Sequence, residues 1–226
     1  MKKILPLFIA VIFSYTSFAQ DKNPMSIPKI ISKQDKLLLN LNWDNWLNTT
    51  TGVDVKAFRS RGFSFLIMNE KPFGEGNFAI AWGLGFSSQN VHSNTTPTYN
   101  DDGSKTYLTP IPSTTDYDLN KLSCNFIDAA FELRLRSNEN EHSKRFKITA
   151  GIKAGYLVQS HTKFETDDMK IKTYNIKNLN KFQYGLTGRI GYARWGFSGY
   201  YSLINLFKDG KGPDVVPVSI GLSYAL

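Results

Sequence analysis

Apolar residues occupy every second position in eight segments of the chain. The segments begin at Leu37, Phe63, Phe78, Ile127, Phe146, Phe182, Trp195 and Val216. Successive side chains of a β-strand point to opposite faces, so this alternation predicts strands that each have one apolar face. No segment keeps a 3.6-residue period, and helices are therefore not expected in the body of the chain. The pattern predicts an antiparallel all-β fold.

The faces opposite the apolar rows carry small and polar residues. The third segment has Ala79, Ala81, Gly83, Gly85 and Ser87 there, and the fifth has Lys147, Thr149, Gly151, Lys153 and Gly155. A soluble sandwich alternates in the same way, with its polar face in water. These segments, however, reach about ten residues or more, against a usual five or six, and a tilted strand of that length crosses a bilayer. Length and small side chains together favour strands around a narrow lumen.

The connections between the segments alternate between long and short. The long ones span about 48–57, 91–120, 161–178 and 207–214, and the short ones 71–77, 137–144 and 193–194. This asymmetry is typical of barrels that cross an outer membrane. We therefore predict an all-β, eight-stranded antiparallel up-and-down transmembrane β-barrel over residues 36–226, with both ends on the periplasmic side. Aromatic residues would form two girdles: Phe78, Phe146, Tyr192, Trp195 and Tyr224 near the periplasm, and Trp43, Tyr156, Phe182, Tyr184 and Tyr201 near the outer ends.

The first residues have the layout of a secretory signal peptide. Lys2 and Lys3 precede a short apolar run from Ile4 to Phe13, and Ser17-Phe18-Ala19 is a small-x-small cleavage site. The run is too short to span a membrane as a helix. We predict a cleaved signal peptide at 1–19, a periplasmic N-terminal leader at 20–35 and an outer-membrane location.

Several stretches are similar to a known family. They are 39–46, 78–85, 127–134, 151–156, 178–185 and 199–203 through 211–213. The chain resembles the PorT-like small outer-membrane β-barrel proteins of the Bacteroidota, which implies the fold and the location but no single activity. The end of the chain, with Ser219, Gly221, Tyr224 and Leu226, resembles the terminal-strand signal read by the barrel-assembly machinery. That machinery is thus an expected partner during insertion.

Charged residues on the inward faces are the candidate site. Glu132, Arg134, Lys153 and Arg189 share the inward parity on neighbouring strands, and Glu70 and Asp128 can join them. The interior of an eight-stranded barrel is just wide enough for side chains, and an unpaired buried charge is very costly. We expect a structural network of paired charges that fills the lumen. The alternative is a narrow ion pathway or a gated plug.

The remaining reactive residues are scattered. The histidines are His92, His142 and His161, and no His or Cys cluster has metal-ligand spacing, so no metal or other cofactor is expected. Cys124 is single, which excludes an internal disulfide, and is expected to be a small packed residue. Ser160-His161 near Asp167-Asp168 suggests a hydrolytic group, but neighbours on a strand point to opposite faces. An enzyme is therefore not expected.

The net charge of +8 raises the question of an anionic partner. Secretion and the spread of the charges argue against nucleic acid. The outer-loop cations either face outer-membrane lipid and lipopolysaccharide headgroups or are ordinary solvated residues; they are Arg59, Arg61, Lys105, Lys163, Lys170, Lys172, Lys177, Lys181, Lys208 and Lys211. The expected function is non-enzymatic: a barrel with long outward loops and a structural or surface-interaction role. An unidentified protein partner is a further possibility. The alternatives are a small-solute channel and an accessory barrel of a protein-secretion complex.

Overall fold

The computed structural model describes residues 35–73, 77–138, 140, 142 and 144–226. The predicted signal peptide and residues 20–34 of the predicted leader lie outside this range. The described part forms eleven strands: β1 Leu37–Leu47, β2 Arg61–Phe73, β3 Phe78–His92, β4 Thr95–Tyr99, β5 Thr106–Pro110, β6 Leu119–Arg136, β7 Phe146–Glu165, β8 Lys170–Tyr174, β9 Phe182–Tyr192, β10 Trp195–Ser202 and β11 Val216–Ala225. Within the same residues, no helix is long and apolar enough to span a bilayer.

Eight of these strands close into a ring. The antiparallel order is β1-β2-β3-β6-β7-β9-β10-β11, and β11 pairs back onto β1 from Leu38–Ala225 to Leu47–Val216. Each strand of the ring corresponds to one alternating segment of the sequence. The prediction of an eight-stranded antiparallel barrel is confirmed.

Two of the long connections contain strands where the sequence predicts loops. Strands β4 and β5 form a hairpin inside 91–120, and β8 pairs with the end of β7 inside 161–178. Strands β6 and β7 also extend into these connections, with a register irregularity at Asn125/Phe126. In the β6 extension Leu122, Cys124 and Phe126 face inward under polar outward residues, and the β7 extension is mostly polar. The outward apolar row that marks the barrel strands is therefore missing there, and the prediction of loops was wrong at these positions.

The apolar rows face outward over the whole ring. Leu41 is 67% exposed and Ile220 68%, whereas inward Leu38 and Ala81 are fully buried. Cross-strand register joins Phe146 to Tyr192, Tyr192 to Trp195 and Trp195 to Tyr224, which makes one aromatic row at the short-turn end. At the other end Tyr156 packs against Phe182, with ring centroids 5.1 Å apart. Aromatics also occur midway, where Trp82 lies opposite Phe131, so the apolar face is not purely aliphatic between the girdles.

The long-loop end of the barrel is filled by an apolar cluster, called here the apical cluster. Its buried members come from strand ends and from the connections: Trp46, Val91, Leu108, Leu122, Cys124, Phe126, Ile176, Leu179, Leu206, Phe207 and Val215. A bridge between Leu179 and Phe207 ties two of the connections together. The long connections therefore fold back over the mouth that they surround.

Candidate functional site

Arg134 is the centre of an ionic cluster at the short-turn end of the lumen. Its side chain is 2% exposed. Its Nε donates to Glu132 Oε2 at 2.9 Å, and its Nη1 donates to Glu70 Oε2 at 2.6 Å and to the Asp35 carbonyl at 3.2 Å. The two carboxylates belong to β6 and β2, which are not neighbours in the ring. The guanidinium therefore links two strands of the wall that are separated by β3.

Three further cations complete this ionic cluster. Arg189 on β9 donates to Glu132 Oε2 at 3.0 Å. Arg136 donates through Nη1 to Glu70 Oε1 at 2.5 Å and through Nη2 to the other carboxylate oxygen. Lys147 Nζ donates to Asp35 Oδ1 at 2.7 Å. The Glu70 side chain is 1% exposed, so its charge is balanced by guanidinium groups and not by water.

Lys153 and Asp128 form a separate pair closer to the long-loop end. Lys153 Nζ lies 3.1 Å from Asp128 Oδ2 and 4.5 Å from the ring centroid of Tyr200. The Asp128 side chain is 2% exposed. The six charges singled out in the sequence are thus arranged as two groups: Glu70, Glu132, Arg134 and Arg189 in the ionic cluster, and Lys153 with Asp128 above it.

Sequence reasoning missed three members of the ionic cluster. Arg136 and Lys147 have the inward parity of their strands and face each other in the β6–β7 register. They were open to prediction from parity, but they stand next to a turn, where burial is hard to judge. Asp35 precedes the first alternating segment, within the predicted leader, so no pattern marked it.

A small polar cavity lies between the ionic cluster and the apical cluster. Its volume is about 60 Å³, and its lining includes Asn40, Ser64, Gln89, Thr149, Thr187 and Ser198. Since one water molecule needs roughly 15 Å³ of such space, the cavity has room for about four. Hydroxyl and amide groups on its walls are suitable partners for such waters.

The other candidate residues do not assemble into a reactive site. Ser160 is buried inside the barrel extension and its Oγ accepts from the Ile176 amide at 3.0 Å, whereas His161 packs on Tyr174 with centroids 5.5 Å apart. Cys124 is a buried member of the apical cluster. His142 is exposed in the 137–144 turn, and His92 ends β3. Over the described ranges, no three His, Cys, Asp or Glu side chains are grouped to hold a metal ion.

The terminal-strand residues lie on β11 and just after it. Ser219 faces inward and its Oγ donates to Asp44 Oδ1 at 2.7 Å. Gly221 also faces inward, and a Cβ there would meet the Leu41 carbonyl oxygen at 2.2 Å. Tyr224 packs on Trp195 with ring centroids 4.7 Å apart, and the Leu226 carbonyl accepts from the amides of Lys36 and Leu37. These contacts close the ring between the last strand and the first.

Comparison with known proteins agrees with this architecture. A family model described as the outer membrane protein beta-barrel domain matches residues 18–208, which is more than half of the chain. No curated protein matches the chain, and no solved structure does. A closed ring of antiparallel strands with apolar side chains outside and polar side chains inside is the architecture of an outer-membrane barrel. The chain is therefore an outer-membrane protein and belongs to the outer membrane protein beta-barrel domain family.

Proposed function

We propose that the protein is a non-enzymatic, closed barrel with a structural or surface-interaction role, whose long connections face outward from the cell. The observation that carries the proposal is the pair of obstructions in series along the lumen. The ionic cluster occupies the short-turn end and the apical cluster the long-loop end. The small polar cavity and the Lys153–Asp128 pair lie between them.

The ionic cluster acts as a cross-brace in this proposal. The path from Glu70 through Arg134 and Glu132 to Arg189 runs from β2 by way of β6 to β9. A solute would have to separate buried partners, and breaking a buried ion pair costs about 3–5 kcal/mol. An open water path is then strongly disfavoured.

A narrow small-solute channel is the second candidate. The polar cavity favours it, because it has room for waters between the two obstructions. The role of an accessory barrel in a protein-secretion complex, and the finer affiliation to PorT-like barrels of the Bacteroidota, rest on sequence resemblance alone. We expect the protein to be exported by a cleaved signal peptide and inserted by the barrel-assembly machinery. Lipid and lipopolysaccharide are expected to surround it in the membrane.

Planar-bilayer recordings separate the closed barrel from the channel. We expect no steady conductance from the wild type. Phe126→Ala/Phe207→Ala opens only the long-loop end, and Glu70→Ala/Glu132→Ala/Arg134→Ala/Arg189→Ala opens only the other end, so each alone should remain closed. Their combination should conduct, since it removes both obstructions. Leu41→Ala/Ile220→Ala on the lipid face is the control and should stay closed. A reproducible open pore in the wild type would refute the proposal and favour the channel.

A further inference from the structure

Four basic side chains stand opposite one another across four neighbouring strands. The register pairs His92 of β3 with Lys121 of β6, Lys121 with Lys163 of β7, and Lys163 with Lys172 of β8. We call this row the basic ladder. Like charges directly opposite in a sheet are destabilising. An anion beside such a row offsets this repulsion.

Acidic groups lie beside part of the ladder. Lys121 Nζ donates to the neutral amide oxygen Asn90 Oδ1 at 2.9 Å. Glu165 accepts from Lys163 and also contacts Lys170 Nζ at 3.1 Å. At the other end, Asp118 lines a shallow depression together with Arg59, Arg61 and His92. Lys163 is thus paired, whereas no ion pair within the described residues involves Lys121 or Lys172, so these two lysines keep a positive surplus.

The titration of the ladder residues agrees with this surplus. Burial, followed by the charges of Lys121, Arg59, Lys56 and Lys163, lowers the pKa of His92 to about 4. Burial and then the neighbouring Lys163 and Lys172 lower the pKa of Lys121. At neutral pH His92 is thus an uncharged imidazole that can donate a hydrogen bond beside cationic ammonium groups.

The surface below the ladder changes character in layers. The last lipid-facing apolar residues on β3 and β6 are Phe86 and Ile127. Above them on the same outer side come residues with hydroxyl, amide or imidazole groups, and then the ladder: first Ser88, Asn125 and Gln159, next Asn90, Ser123 and His161. Ser123 is buried beneath this face, and its Oγ donates to Asn90 Oδ1 at 2.6 Å. Six residues separate Phe86 from His92, which is about 20 Å along a strand and roughly 15 Å in height at barrel tilt.

We propose that this layered face binds a phosphorylated glycolipid of the outer leaflet, with its sugars against the hydroxyl and amide rows and a phosphate on the basic ladder. Lysine donates strong charge-assisted hydrogen bonds to phosphate oxygens. The headgroup region of a phospholipid leaflet is only about 6 Å deep, so its phosphate would not reach the ladder. The inference rests on the outward orientation in the proposed function.

Lipid titration of the purified full chain in detergent micelles tests the site. The probes are lipopolysaccharide, the same material after enzymatic dephosphorylation, phosphatidylglycerol and inorganic phosphate. We expect lipopolysaccharide to bind at least about tenfold more tightly than each other probe. Added salt should weaken that binding.

Charge-matched variants locate the site. Lys121→Gln/Lys172→Gln keeps the Lys163–Glu165 pair and should weaken binding about tenfold. Lys105→Gln/Lys208→Gln removes two exposed lysines elsewhere and should bind as the wild type does. Glu165→Gln should strengthen binding, since it removes a competing carboxylate. Heat-modifiable mobility on gels verifies that each variant is folded.

Several outcomes would overturn the inference. Equal weakening by both lysine pairs would mean a diffuse charge effect. Equal binding of phosphatidylglycerol or of inorganic phosphate would point to general anionic lipid or to free phosphate. If dephosphorylated lipopolysaccharide binds as tightly as the untreated material, the phosphate is not what the site recognises. None of these results depends on conductance, so the inference can fail while the closed-barrel proposal stands.

Discussion

Removing the Glu132 carboxylate is the most direct test of the ionic cluster. Glu132→Ala withdraws the acceptor shared by Arg134 and Arg189. Arg134 keeps Glu70 and the Asp35 carbonyl. Arg189 keeps only a 3.5 Å contact with Thr149 Oγ1 among the hydrogen bonds of its side chain described here. The cost of the substitution therefore comes mainly from Arg189.

The magnitude follows from burial. The Glu132 side chain is 5% exposed and that of Arg189 12%. Removing one partner of a buried pair costs about 3–5 kcal/mol. Because the Arg189 side chain keeps some contact with water, we expect a cost in the lower part of that range. In Glu132→Ala/Arg189→Ala the stranded charge is also gone. The double variant should therefore lose less than the two single variants together, by about 2 kcal/mol.

Urea unfolding in lipid vesicles measures these differences, with the folded fraction read from heat-modifiable mobility on gels. Glu165→Ala is the matched control, because it removes an acid that is paired with Lys163 and Lys170 on the long-loop end and whose side chain is 29% exposed. It should leave the free energy of unfolding within error of the wild type. The reasoning fails if Glu132→Ala is no more costly than Glu165→Ala, or if the two single losses simply add.

Two further predictions concern the lipid face and the apical cluster. Phe131 lies outward on β6 opposite Trp82, and Phe131→Arg should lower the free energy of unfolding in vesicles by about 2–4 kcal/mol. Thr96→Arg in the β4–β5 hairpin should lower it by almost nothing. Equal losses would mean that the inward and outward faces are assigned backwards. Burial raises the pKa of the Cys124 thiol to about 12, so maleimide should label Cys124 slowly in the folded wild type. Labelling should be faster in Phe207→Ala, which opens the apical cluster around the thiol. Rapid labelling of the wild type would contradict a sealed long-loop end.

The barrel could be predicted because its periodicity is simple. Each wall strand faces lipid on one side and a packed lumen on the other, so a period of two runs through the whole strand. The apolar row Ile127, Ala129, Phe131, Leu133 and Leu135 on β6 fixed both the strand and its orientation. The same strand continues to Leu119, but Leu122, Cys124 and Phe126 there pack into the apical cluster under polar outward residues. The apolar face of β6 thus changes from outward to inward at the long-loop end, and this change is why the sequence pattern did not predict the extension.

Parity identified which charges face inward but not which pair together. Glu132 and Lys153 have the same parity on adjacent strands, yet Lys153 binds Asp128 and Glu132 binds two arginines. The choice depends on register and strand stagger, which are set by all eight strands at once. The basic ladder could not be predicted for the same reason. Only the strand register shows that its four residues are neighbours: His92, Lys121, Lys163 and Lys172.

The ionic cluster also has a consequence for register. Strands β7 and β9 carry several inward glycines, including Gly151, Gly155 and Gly185, and small inward residues specify register weakly. A slip of one residue turns every inward side chain to the lipid face. For β6 that slip would turn Glu132 and Arg134 to the lipid face and away from Glu70 and Arg189. Both buried partners of each pair would then be lost, and a charge on the lipid face is itself unfavourable by an amount that depends on its depth. The buried charges thus penalise the misregistered barrels that a lumen of glycine and serine alone would tolerate.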